Sequence, residues 1–154
     1  MNASYRLALV ALAVVLARPV IGQTAVAGTW IAGFEHNLRN VNGEITADTG
    51  KARIVFEVRG DSVFGTWTVL SPQTTPMPVP RKLRGTFSNS RVRVSAEPVD
   101  AVMNEDGNET RVKMVATYDF AVNGDRLAGT AEIKSPGSSM PRLSRPFAAE
   151  REKR

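Results

Sequence analysis

Residues 56–72 of this chain are written twice. Phe56, Val58, Gly60, Asp61, Gly65, Thr66, Ser71 and Pro72 recur as Phe120, Val122, Gly124, Asp125, Gly129, Thr130, Ser135 and Pro136 at a constant offset of 64 residues, and Val63 and Val69 return as Leu127 and Ile133. Each copy reads as strand, turn, strand, because apolar residues alternate on both sides of a Gly-Asp pair. Glycine accepts positive φ and aspartate can hydrogen-bond its own backbone, so the pair suits a hairpin turn. A hairpin duplicated over 56–72 and 120–136 commits the chain to a β architecture with two equivalent places for it.

The rest of the chain extends the same period of two. A first strand is expected over 26–34, followed by a polar connection, 35–50, with Asn42 and Gly43 as a tight turn and at most a short strand over 43–46. In 53–59, Ile54, Phe56 and Val58 share one face and Arg53, Glu57 and Arg59 the other, which is the signature of one dry and one wet face. The return strand sets Val63, Gly65, Trp67 and Val69 on the dry side, with Phe64 and Leu70 anomalous on the wet one. Four prolines make 71–80 a loop or an edge, since proline has no amide hydrogen to give to a sheet. Leu83, Gly85 and Phe87 mark the next strand, Asn89 and Ser90 a turn, and Val92, Val94 and Ala96 another strand. A polar connection is expected over 98–109.

The longest strand, 110–122, places Val112, Met114, Ala116, Tyr118, Phe120 and Val122 on one face. Asn123 and Gly124 supply the hairpin signal, and Leu127, Gly129, Ala131 and Ile133 return. A second loop rich in proline and serine, 135–146, precedes a short closing strand at Phe147 and Ala149, and the charged tail 150–154 is expected to fray. Eight strands joined mainly as neighbours predict an all-β, antiparallel up-and-down barrel, because closure removes exposed edges. A β-sandwich is the alternative, since period two does not distinguish the closures. Gly28, Gly65, Gly85 and Gly129, each followed by Thr, mark corners or close approaches within strands.

The amino terminus supplies the compartment. Arg6 and the apolar run 7–17 read as a secretory signal peptide over 1–22, cut between Gly22 and Gln23, with Ala17 as the other candidate site. The run is shorter than the roughly 20 apolar residues of a membrane-spanning helix, so no stable membrane insertion is expected. The exported product, 23–154, is expected to be a single domain, and loss of Arg6 and Arg18 lowers the formal charge from +5 to +3. The remaining basic residues are dispersed, as on solvated strand faces, and no nucleic-acid partner is implied. Zero cysteines mean no disulfide scaffold, which together with export fits a periplasmic or extracellular location in a bacterial envelope.

Gly28, Thr29 and Trp30 in the first strand, with Arg145 and Arg151 flanking the last, resemble the glycine-x-tryptophan start and closing arginine of lipocalin-like (calycin) barrels. The repeated Gly-Asp, apolar, x, Gly-Thr strands look like small secreted bacterial lipocalin-like domains of unassigned function. The resemblance implies a ligand-binding barrel in which an arginine packs across Trp30 and closes the base, Arg151 being the candidate and Arg145 the alternative.

Catalytic chemistry finds little support in the residues. Asp48, Thr49 and Gly50 spell the aspartic-protease triplet once, where two carboxylates are needed; a turn before a strand is the plainer reading. His36 is the only histidine, leaving no histidine-pair metal site or internal serine relay. Asn104, Glu105, Asp106, Asn108 and Glu109 around Gly107 lack the EF-hand spacing. No enzyme activity and no cofactor are therefore expected. Trp30, Phe56, Trp67, Phe87, Tyr118 and Phe120 are core filling or the wall of a pocket for a small hydrophobic ligand. Met77, Val79, Met140 and Leu143 in the Pro-rich loops are either ordinary loop closure or an exposed apolar rim for a ligand or protein partner. The expectation is an exported binding module for a small hydrophobic molecule or lipid. A protein-binding envelope barrel, an inhibitor or assembly factor acting through its loops, is the other reading.

Overall fold

The computed structural model describes residues 25–41, 44–71, 79–105, 108–137 and 142–153. Within them the period-two segments form nine strands: β1 (Gly28–Val41), β2 (Glu44–Arg59), β3 (Ser62–Ser71), β4 (Arg81–Ser88), β5 (Arg91–Ala96), β6 (Val99–Glu105), β7 (Asn108–Asn123), β8 (Arg126–Lys134) and β9 (Leu143–Arg151). Neighbours pair antiparallel from β5 back through β1 to β9, β8 and β7, and β5 pairs with β7 to complete the ring. The result is a closed up-and-down barrel of eight strands, with β6 outside the ring on β7. Ring closure through β5–β7 and β1–β9 excludes the two-sheet sandwich.

The 64-residue repeat is a repeat of hydrogen-bond register. Phe56 opposes Gly65 and Val58 opposes Val63, as Phe120 opposes Gly129 and Val122 opposes Leu127. Gly65 opposes Leu83 and Trp67 opposes Arg81, as Gly129 opposes Phe147 and Ala131 opposes Arg145. Even the bonds beyond the ladders correspond, the Phe87 amide donating to the Asp61 carbonyl at 2.8 Å and that of Arg151 to Asp125 at 2.9 Å. The barrel is therefore two similar halves, β1–β4 and β5–β9, around a pseudo-twofold axis. The symmetry fails at one seam: Gly85 opposes Val94 between β4 and β5, but Ala149 opposes Ala32 between β9 and β1, two residues out of step.

Two polar stretches expected as connections are strands instead. Residues 35–41 and 44–50 form the outer parts of β1 and β2, with a register shift between His36 and Arg39, and the turn expected at Asn42 and Gly43 lies outside the described residues. Residues 99–105 form β6, which pairs with the first half of β7 from Val99–Met114 to Glu105–Asn108. Over these residues each hairpin pairs only within itself, and the sequence carries no clean alternation. The turn after β7 is centred on Gly124 and Asp125, with Asn123 opposite Arg126, matching Gly60 and Asp61 rather than an Asn123-Gly124 turn. Gly60 and Gly124 have φ of 58° and 59°. The expected tail does not fray at its start: Glu150 and Arg151 complete β9, and Glu152 bonds the Thr29 carbonyl and the Arg53 side chain. β9 also begins at Leu143, shortening the expected loop.

The turns between β2 and β3, β4 and β5, and β7 and β8 fall at one end of the barrel, where β1 starts and β9 stops. All long connections, including those holding the Pro-rich stretches, leave from the strand ends at the other. Among the described residues no helix is long and apolar enough to cross a membrane.

Candidate functional site

The short-turn end is sealed. Trp30 is fully buried, its indole Nε1 donating to the Val26 carbonyl at 2.9 Å, and Arg151 lies over its outer face at 4.2 Å. The guanidinium of Arg151 also donates to the carbonyls of Ala25 (2.6 Å) and Ala27 (3.1 Å) and to the Asp125 carboxylate (3.0 Å). All three guanidinium nitrogens donate, to carbonyls or carboxylate, while the group packs on the ring. Arg145 sits elsewhere, so Arg151 is the base arginine. Gly28 makes room for it: its φ is +125°, and a methyl there would approach Arg151 Nη1 to 2.8 Å.

Above this floor the interior is aromatic. Phe56 meets Phe120 at 5.6 Å between ring centroids, Phe120 meets Phe147 at 5.3 Å, Phe147 meets Tyr118 at 5.1 Å, and Tyr118 stacks on Trp67 at 5.4 Å. Phe34 closes the chain edge-on to Trp67 at 5.9 Å. Of the six aromatic residues read from the sequence, Trp30, Phe56, Trp67 and Phe120 lie in the buried core, while Phe87 and Tyr118 pack against it part-buried. Phe34 and Phe147 belong to the same cluster. Burial pushes the Tyr118 hydroxyl up to about 12, partly offset by the nearby Arg81 charge.

Toward the other end the inward positions open. Val69, Ala96, Ala131 and Ile133 are only part-buried, whereas Val63, Leu127 and Val92 nearer the floor are closed off. The wall is incomplete there as well. β9 pairs with β1 only at Arg151, Glu150 and Ala149, although β9 pairs with β8 as far as Leu143. This leaves a lateral slot containing Pro146, which has no amide hydrogen to offer a neighbour. Across the slot Arg145 pairs with Glu35 at 3.0 Å.

Val79, from the expected rim, is 83% exposed, and Leu143 is part-buried at the start of β9; Met77 and Met140 lie outside the described residues. Asp48, Thr49 and Gly50 lie within β2 rather than in a turn, Asp48 opposite His36. Of the acidic stretch, Asp106 and Gly107 fall outside the described residues. Among those described, no group of three or more His, Cys, Asp or Glu is arranged to hold a metal. The anomalous Phe64 lies half-exposed beside a shallow outer groove of about 220 Å³ that includes Val55, Lys82 and Arg84, with Arg59 at 5.7 Å from its ring.

A floor sealed by Trp30 and Arg151 beneath an aromatic interior defines a closed, antiparallel, up-and-down β-barrel of eight strands. Comparisons with protein families, with curated proteins and with solved structures find no match to this chain.

Proposed function

We propose that this protein is an exported, non-enzymatic carrier of the lipocalin-like kind, holding a small hydrophobic molecule or lipid in the open half of its barrel. The observation that carries the reading is the asymmetry of the interior. Trp30 and Arg151 seal one end, whereas Val69, Ala96, Ala131 and Ile133 toward the other stay part-exposed. Apolar side chains left half-wetted on a concave wall gain roughly 25 cal/mol for each Å² that a ligand covers. The Gly28-Thr29-Trp30 start and the Arg151 lid add the lipocalin-like features.

Mass spectrometry of the natively purified protein, intact and after organic extraction, tests this. The expected result is a reproducible apolar small molecule, and tryptophan quenching when it is returned to the emptied protein. A protein with no extractable ligand, whose tryptophans ignore a panel of hydrophobic compounds, rules the carrier out. One observation favours a second reading: both Pro-rich connections leave the same rim, with Val79 strongly exposed beside one of them. In that case the rim binds another envelope protein, and changing Met77 and Met140 to Asp abolishes capture while the fold is retained.

A further inference from the structure

The internal repeat also reveals what the barrel itself requires of its outer wall. On the outward side of β2, β3 and β4, Glu57 opposes Phe64 and Phe64 opposes Arg84, while Val55 opposes Thr66 and Thr66 opposes Lys82. At the 64-residue offset the same register holds Ala121, Ala128 and Ala148, with Asp119, Thr130 and Pro146 beside them. One half of the barrel is thus built with alanine at the three positions where the other carries Glu57, Phe64 and Arg84. The fold does not demand these side chains.

Phe64 and Val55 are 39% and 40% exposed, and both line the shallow outer groove. Apolar surface gathered at one spot on a wall otherwise faced with charge is where a partner gains from burial. Lys82 and Arg84 edge the groove with no ion pair among the described residues, whereas Arg53, Arg59, Arg91 and Arg93 on the neighbouring strands each have a carboxylate within 3.7 Å. The two free cations are therefore the two beside the exposed ring.

These features choose among anionic partners. Phe64 is paired with Glu57 on one side and Arg84 on the other, so β3 offers no free edge here for a peptide to join by strand addition. The apolar residues line a recess, which a flat bilayer surface does not enter. A sugar ring suits both constraints: its C–H face lies against the phenyl ring, its hydroxyls reach Glu57 and Thr66, and a carboxylate on it takes charge-assisted hydrogen bonds from Arg84 and Lys82. The Cα atoms of Lys82 and Arg84 are roughly 7 Å apart along β4, so both serve acid groups on one short stretch of chain. We infer that this outer groove is a binding site for an acidic polysaccharide of the uronate type, with Phe64 as its platform and Arg84 and Lys82 as its anion contacts. The site is on the outside of the wall and is independent of any ligand carried within.

Isothermal titration calorimetry of the purified protein with polygalacturonate and with its methyl ester tests this, because esterification removes the charge and keeps the chain. The acid form should bind about tenfold more tightly or better, the scale of one charge-assisted hydrogen bond. Phe64→Ala and Arg84→Ala install what the matching half already carries at Ala128 and Ala148, so thermal melts should show the fold intact, and each should weaken polygalacturonate binding about tenfold. Arg126→Ala, which removes a strongly exposed cation from β8, should leave the affinity unchanged. No binding of polygalacturonate, equal affinity for its ester, or binding that Phe64→Ala leaves intact overturns the site. So does a loss in Arg126→Ala as large as that in Arg84→Ala, which marks diffuse attraction by net charge. Unfolding of the two alanine variants refutes the premise that the fold does not need these side chains, and the inference with it. Single-stranded DNA or phosphatidylglycerol vesicles bound more tightly than polygalacturonate, with the same loss in Phe64→Ala, overturns the polysaccharide in favour of a nucleic acid or a bilayer.

Discussion

The guanidinium of Arg151 lies 4.2 Å from the ring centre of Trp30, while two of its nitrogens hold the carbonyls of Ala25 and Ala27. One side chain therefore ties the last strand to the first and to the segment that enters the barrel. Arg151→Ala should cost roughly 2–4 kcal/mol, since it removes several charge-assisted hydrogen bonds and bares a buried indole. Denaturant unfolding measures the loss, and native tryptophan emission should shift to the red. Arg151→Lys should recover less than half, because an ammonium cannot stack and fork at once.

Two glycines are fixed by their neighbours' backbones. A methyl at Gly85 would strike the Arg93 carbonyl and approach the Val94 Cα to 2.6 Å; one at Gly129 would strike the Asp119 carbonyl and approach the Phe120 Cα to 2.6 Å. Gly33 has nothing within 4 Å of such a methyl. Gly85→Ala and Gly129→Ala should each destabilise by roughly 2–4 kcal/mol, and Gly33→Ala should be neutral or better by up to about 1 kcal/mol. Thermal melts of the three variants side by side check the contrast.

The Tyr118 hydroxyl, raised from 10.0 to about 12, predicts an alkaline weakness. Its folded pKa lies above the unfolded one, so the neutral phenol's contribution is complete below about pH 10 and is lost as pH rises toward 12, because the unfolded chain gives up its proton first. The loss is on the order of 2 kcal/mol. Tyr118→Phe should remove this component, so that the wild-type-minus-variant stability difference falls between pH 9 and pH 11.5. A flat difference would contradict the burial of the hydroxyl.

The outer ion pairs should matter little. Arg53 and Glu152 meet at 2.7 Å with both side chains a third or more exposed. A double-mutant cycle should give a coupling below about 1 kcal/mol that fades with added salt. A larger coupling would mark the Glu152 end as a structural clasp.

The duplicated hairpin, the strand faces and the core aromatics were legible because a half-buried strand must alternate. Val63, Trp67, Tyr118 and Phe120 announce the core by parity alone. The outer hairpins escaped notice for the opposite reason: residues 35–41, 44–50 and 99–105 pair only within their own hairpins, and their sequences do not alternate. Closure was a choice between architectures with the same period, decided by long-range pairings such as Val92–Phe120 and Trp30–Arg151. Arg145 attracted attention only as a candidate base arginine. Its kinship with Arg81 emerges when the repeat is followed past the hairpin into the next strand.

The three-residue seam between β1 and β9 also sets how this barrel gives way under load. The chain enters β1 and leaves β9 side by side, at Trp30 and Arg151. Tension applied at those points acts across the strands, peeling one bond pair at a time instead of shearing the ladder. In a force-clamp experiment with handles fused next to Gly28 and Glu152, this seam should yield first, opening the cylinder to a curled ribbon before any hairpin separates. A barrel held together at its floor by an arginine clasp is, along this one line, built like a zipper.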